Sequence, residues 1–457
     1  MRPMRPLNVV ILAAGKGTRM NSAKPKVLHE LAGRPLLGHV LGMTEGLEPS
    51  NTAVVVGFEA QQVRDAFADC SVQWVEQTEQ LGTGHAVREA IPVLNPEQPT
   101  IVLYGDVPLV SQAVVSQAVS AAEAGNVGLV TARMGDPAEL GRIVRNDSGE
   151  VQAIVEYKDA DESVRSITEI NSGIVSIPAG KLEGWIGALK NENAQAEYYL
   201  TDIIEMAVSD GVPVEGIEAS ELEVTGINDR AQLAQVERIY QKTQAEALMR
   251  AGATLADPER IDIRGTVSCG QDCFIDINVV FEGEVTLGRG VRVSAGAVIT
   301  DSQIGDDTVV QPHTVVEGAQ IAANCSVGPF ARVRPGSVLE DGVKVGNFVE
   351  TKKAHLGPGT KASHLTYLGD TRLGADCNVG AGTVTCNYDG INKHFTAIGD
   401  EVFIGTNSTL VAPVEIKDGS FVAAGSVVTT TVEEGDLAVG RGKQRNIKGW
   451  TRPDKRA

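Results

Sequence analysis

Three cationic side chains, Lys16, Arg19 and Lys26, fall within twelve residues of Gly15. With Gly15 and Gly17 they form a loop suited to anions, because glycine lets backbone N–H groups approach a phosphate while the cations offset its charge. The loop is not a Walker A sequence, and Met20 stands where a dinucleotide fingerprint carries its third glycine. A carboxylate follows much later, Asp106, closing Tyr104-Gly105-Asp106 at the end of a strand-like run. Taken singly, such residues are turn formers and solvated cations. A second group lies in the C-terminal half, in Glu350-Thr351-Lys352-Lys353-Ala354-His355, His364-Leu365-Thr366-Tyr367, Gly380-Ala381-Gly382-Thr383 and Cys386-Asn387-Tyr388. There an imidazole, which ordinarily titrates near about 6.5, can accept a proton beside cations able to clamp a phosphate.

Elements of two kinds must position these groups. Val9–Ala14 is an unbroken apolar run of strand length, as expected for a strand buried on both faces. Further strand-like runs at 52–56, 100–103 and 128–131 alternate with helix-compatible segments at 61–68 and 111–123, which predicts an α/β domain with a mainly parallel sheet and ligands at its carboxyl ends. Residues 231–249 space Leu233, Val236, Tyr240, Ala247 and Leu248 as a helix, with Gly252 as its stop. At roughly 30 Å such a helix is long enough to join two separate domains. Beyond it an aliphatic residue returns every sixth position, as in Leu287, Val293, Ile299 and Val327, Val333, Leu339, Val345, resuming at Ile398, Ile404, Leu410, Ile416, Val422, Val428. That period fits neither a helix nor an alternating strand, and it predicts a parallel β-helix of about nine coils. The ladder reads as interrupted twice, between Val345 and Leu368 and between Val379 and Ile398, where function is usually grafted.

The string Leu12-Ala13-Ala14-Gly15-Lys16-Gly17-Thr18-Arg19-Met20, with Pro25-Lys26 after it, resembles the signature of sugar-phosphate nucleotidyltransferases. With the hexapeptide region, nearly the whole chain resembles the bacterial bifunctional N-acetylglucosamine-1-phosphate uridylyltransferases / glucosamine-1-phosphate N-acetyltransferases. The resemblance implies a Rossmann-like uridylyltransferase domain over 1–229, a linker helix over 230–252, and a left-handed β-helix acetyltransferase domain with a tail over 253–457. It implies acetyl transfer from acetyl-CoA to glucosamine-1-phosphate, then uridylyl transfer from UTP to N-acetylglucosamine-1-phosphate. The product, UDP-N-acetylglucosamine, feeds peptidoglycan and lipopolysaccharide synthesis.

Residue by residue, the resemblance puts Leu12, Ala13, Ala14, Gly15, Lys26, Gln77, Gly82, Thr83, Tyr104, Gly105 and Asp106 around UTP. Gly141, Glu156, Asn171 and Asn228 complete the UDP-N-acetylglucosamine site. Asp106 and Asn228 are expected to hold Mg²⁺, bridging phosphate oxygens, with Arg19 and Lys26 offsetting the remaining charge. Arg334, Lys352, Tyr367 and Asn378 are expected at glucosamine phosphate, and His364 as the base. Ala381, Asn387, Tyr388, Thr406, Ala424 and Arg441 are expected to line acetyl-CoA. Thr406 departs from the serine frequent at its position, and Arg-Gly-Lys-Gln around Arg441 departs from a proline-containing form. A homotrimer is implied as well.

Composition agrees. A chain of 457 residues exceeds one ordinary core, and 4% aromatic residues suits a narrow aliphatic column. A net charge of −19 argues against nucleic acid or a membrane surface as partner, while leaving anionic substrates a local cationic pocket. No apolar run reaches membrane-span length, no signal peptide is evident, and the six cysteines include no Cys-x-x-Cys pair. They read as buried fillers in a reducing cytoplasm. The competing reading is a single nucleotidyltransferase whose β-helix only assembles subunits or senses a regulator. Lys352, His364, Tyr367 and Asn387 discriminate, since a structural column does not require them. A non-catalytic scaffold would need neither Asp106 nor Asn228.

Overall fold

The computed structural model describes residues 5–452. The chain divides into two compact units, residues 1–237 and 238–457, the division falling inside the helix Arg230–Arg250.

In the first unit the run seen in the sequence becomes the strand Arg5–Ala13, central in its sheet. It pairs in parallel with Pro49–Val56 on one side and Thr100–Tyr104 on the other. Its alternate side chains feed two cores, Leu7, Val9, Ile11 and Ala13 on one face and Val10, Leu12 and Ala14 on the other. This explains why the run shows no polar alternation. The sheet is mixed, because Glu169–Ile177 runs antiparallel between Thr100–Tyr104 and Val127–Arg133. Leu12 O accepts from Gly105 N at 2.9 Å, so the glycine loop and Asp106 leave neighbouring strand ends together. Ser111 caps the helix Gln112–Glu123, accepting from Val114 N.

The second unit is a parallel β-helix. One of its faces is an eleven-stranded sheet from Thr254–Leu255 to Leu437–Ala438, so the column has more rungs than the roughly nine expected. Val293, Val310, Val327, Val345, Ala362, Val379, Ile404 and Val422 stack in register up this face. Each buried aliphatic side chain contributes about 1.5–3 kcal/mol.

The first expected interruption does not exist. Strands Glu350–Leu356, Lys361–His364 and Tyr367–Leu373 continue the column without a break. Thr351 and Ala362 occupy inward positions, fully buried, so the aliphatic count missed them. The Thr351 hydroxyl is satisfied at 3.0 Å by Ser337. The second interruption is real: Cys386 and Thr396 bracket a hairpin closed by a Tyr388–Lys393 bridge. Of the cysteines, Cys273, Cys325 and Cys377 are buried as expected, whereas Cys70, Cys269 and Cys386 are only half-buried; all six thiols are free.

Candidate active sites

The glycine loop turns on Gly17, whose φ of 58° lies in the left-handed region. A Cβ there would come within 2.6 Å of Lys26 Cβ, so the loop packs directly against that lysine. Arg230 Nε donates to Met20 O at 3.1 Å and ties the loop's end down. Leu12, Ala13, Ala14, Gly15, Lys26, Gln77, Gly82, Thr83, Tyr104 and Asp106 line one cavity of about 340 Å³. Gly105 is buried just behind Asp106. Gln77 is buried and bonds Gly82 O and His85 Nδ1, each at 3.1 Å. That fixes the turn from which the helix Thr83–Ala90 starts.

Lys26 donates to Asp106 and, at 3.1 Å, to Asn228 Oδ1. Ile227 N donates to Asp106 O at 3.0 Å, which brings the Asn228 turn alongside. The donor set is one carboxylate and one carboxamide oxygen converging on a single cationic nitrogen. Such hard oxygens suit Mg²⁺, which takes its remaining ligands from water and phosphate. Asn171 N donates to Gly141 O at 2.9 Å, and Gly141 faces the Glu156 carboxylate. Burial raises the Glu156 carboxyl above its usual range, opposed by a 3.2 Å bond from Thr201. Burial likewise pushes the Tyr104 phenol up, with Asp106 and Glu156 adding to it. Arg19 is not brought into the cavity; it lies exposed on the turn Thr18–Met20. The sequence reading missed Gln80 and Glu197 in the cavity wall.

In the second unit the expected residues gather along one corner of the column. Phe348, Leu365, Gly382, Asn407 and Gly425 occupy successive left-handed corner positions. Just before each stand Asn347, His364, Ala381, Thr406 and Ala424, in one file. Backbone bonds link the file coil to coil, from Leu365 N to Asn347 O, Asn407 N to Ala381 O and Gly425 N to Thr406 O. Arg441 donates to Ala424 O at 2.9 Å at its end. Lys361 and Asn378 are register partners on the face leading into this corner. Round it, Arg334, Lys352 and Tyr367 begin the next face, where Glu350 pairs with Tyr367 and Lys352 with Gly369. Arg334 is held at 2.8 Å by Glu350, an acidic partner the sequence reading had left without a role.

Comparison with known proteins bears on both units. Residues 9–174 match the MobA-like NTP transferase domain, 259–364 the GMPPB C-terminal domain, and 396–430 the hexapeptide repeat of succinyl-transferase. The chain is 52% identical over 453 residues to the bifunctional protein GlmU of Marinobacter nauticus, covering 99% of this chain and 100% of that one. It is also 52% identical to GlmU of Alkalilimnicola ehrlichii, over 98% and 97% of the two chains, and to GlmU of Burkholderia vietnamiensis, over 98% and 100%. The chain belongs to the GlmU family. The hexapeptide match, over residues 396–430, is consistent with the column being a left-handed β-helix.

Two expected coenzyme residues of this GlmU-family chain sit off the file. Asn387 is buried and donates its amide to Asp370. Tyr388 lies on the inserted hairpin, exposed, with Lys393 Nζ 4.1 Å from its ring centre. Asp389, beside it, accepts from the backbone N–H groups of Ile391 and Asn392 and from His394, and these bonds hold its carboxyl well below the usual range. Asn347 was missed outright. No pattern in the sequence marks it, because its meeting with His364 needs the coil to close. Among the described residues no helix is long and apolar enough to cross a membrane.

Proposed function

We propose that the first unit transfers a uridylyl group from UTP to N-acetylglucosamine-1-phosphate, and that the column acetylates glucosamine-1-phosphate from acetyl-CoA. The observation that carries this reading is two separate constellations on one chain, the cavity lined by Lys26 and Asp106 with Asn228 bonded to that lysine, and the corner file that includes His364. In the first, the sugar phosphate oxygen attacks the α-phosphorus of UTP, the α–β bridging bond breaks, and pyrophosphate leaves. Positioning and charge neutralisation dominate such transfers. Gln77 and the Gly82–Thr83 turn face the base, Gly141, Glu156 and Asn171 the sugar, and Lys26 the phosphates. Asp106 and Asn228 hold Mg²⁺, which when bound neutralises phosphate charge. Arg19, exposed on its turn outside the cavity lining, offsets charge on the triphosphate in this reading.

In the second, the sugar amine attacks the thioester carbonyl, its proton passes to His364, and the thiolate leaves. Arg334 and Lys352 clamp the phosphate, Tyr367 and Asn378 border the sugar, and Asn387 and Tyr388 with the file from Ala381 to Arg441 carry the coenzyme. We place the reaction in the cytoplasm, in keeping with six free thiols. We also propose a homotrimer. His313, Phe330 and Phe348 stack along the corner at 5.2 and 5.6 Å between ring centroids, and Phe330, Phe348 and Leu365 are 50–60% exposed. A second copy is the cover such a ridge calls for.

The test is to incubate the protein with glucosamine-1-phosphate, acetyl-CoA, UTP and Mg²⁺, withholding one component at a time. UDP-N-acetylglucosamine should form only from the full mixture, and N-acetylglucosamine-1-phosphate should accumulate without UTP. Uridylyl transfer with no acetyl transfer would make the column structural.

A further inference from the structure

The proton acceptor expected in the column has a partner that no sequence motif marks. Strands Lys344–Asn347 and Lys361–His364 are parallel neighbours, and Asn347 is the register partner of His364. Both end their strands immediately before a left-handed corner residue, Phe348 and Leu365. Their side chains therefore leave the column at the same place and in the same direction. His364 Nδ1 lies 2.7 Å from Asn347 Oδ1. A carboxamide oxygen has only lone pairs to offer, so Nδ1 must carry the hydrogen, which it donates to Asn347. The other ring nitrogen, Nε2, is then the one with a free lone pair. On an exposed imidazole nothing else in the ring's own strand selects between the tautomers, and a base with its lone pair on the wrong nitrogen cannot take the substrate's proton.

From this geometry we infer that Asn347 is a positioning residue for acetyl transfer. It fixes His364 in the Nδ1–H tautomer and orients the ring so that Nε2 faces the sugar amine. As that amine attacks, its proton goes to Nε2, and the imidazolium so formed keeps its Nδ1–H bond to the amide oxygen. The neutral amide supports the imidazolium without the strong bias a carboxylate would impose. The inference rests on the acetyltransferase reading of the column, but its spectroscopic part does not.

Three measurements test it. First, the imidazole ¹⁵N shifts of His364, read without substrate, should report the Nδ1–H tautomer in wild type and a mixture or the opposite tautomer in Asn347→Ala. Wild-type protein in the Nε2–H tautomer overturns the inference, whether or not the column proves to be an acetyltransferase. Second, Asn347→Ala should lower kcat for acetyl transfer roughly tenfold or more, within the contribution of a general base. KM for glucosamine-1-phosphate and uridylyl transfer should stay near wild type. Third, Asn347→Asp keeps an acceptor and should restore much of kcat while moving the acid limb of the pH profile up by about half a unit or more, because a carboxylate favours the imidazolium. Lys344, Lys361, Glu350, Lys352, Lys353 and His355, the other charged or titratable residues on the strands around this corner, are common to all variants and cannot produce that difference. Full kcat in Asn347→Ala, or an unmoved profile in Asn347→Asp, overturns the assignment. The backbone bond from Leu365 N to Asn347 O survives each substitution, so the coil has no reason to open.

Discussion

Lys26 Nζ rests 3.1 Å from Asn228 Oδ1, a residue 202 positions further along the chain, while also donating to Asp106. The same two oxygens are the ones proposed to hold Mg²⁺, so ammonium and metal compete for them. Removing the ammonium should therefore not weaken metal binding. Lys26→Met is expected to bind Mn²⁺, titrated without nucleotide, at least as tightly as wild type, yet to lose uridylyl transfer by about 10²–10³-fold. Asp106→Ala should lose both. Weaker Mn²⁺ binding by Lys26→Met, or full turnover in excess chelator, would remove the metal from this place.

The two sets of residues belong to different compact units and share no member. Substitutions without shared partners couple weakly. His364→Ala should lower acetyl transfer by about 10²–10⁴-fold and leave uridylyl transfer close to wild type, with Asp106→Ala doing the reverse. Assaying both half-reactions on both variants checks this, and a joint loss would show that the sites are not independent.

Gly17 combines a positive φ with a Cβ position 2.6 Å from Lys26 Cβ. Gly17→Ala must strain the backbone or shift Lys26, costing of order 1 kcal/mol or more. Uridylyl transfer should fall at least tenfold with acetyl transfer unchanged. Wild-type uridylyl rates in a folded Gly17→Ala protein would mean that the loop is free to move without consequence.

Glu169 is buried and receives Arg145 Nε and Nη2 at 2.9 and 2.6 Å. Those bonds hold its carboxyl below the ordinary value of 4.5 against the opposing effect of burial. A carboxyl depressed in the folded state stabilises it above the unfolded pKa and ceases to do so as pH falls through the folded value. Glu169→Gln should cost about 1–3 kcal/mol at pH 7 by urea denaturation. The gap to wild type should narrow as pH drops below 4.5. A gap that stays constant with pH would assign the effect to packing instead.

Much of this molecule is legible without coordinates. The run Val9–Ala14 announces a strand buried on both sides, and it lies at the centre of its sheet. The six-residue period announces the column because each inward side chain repeats one local environment, and local rules are written into local sequence. That logic failed where Thr351 and Ala362 took inward places, since a satisfied hydroxyl and a small methyl fill the core without looking aliphatic. The interruption expected there was a disguised continuation. What only the folded chain decided is which distant groups meet. Lys26 reaches Asn228 because a turn following Gly226 docks on the Asp106 backbone, and Asn347 reaches His364 because one coil is 17 residues long. Arg19 stayed outside its cavity although its motif was complete. Residue types and order are properties of the sequence, whereas a hydrogen bond between positions far apart is created by chain closure, which no local pattern encodes.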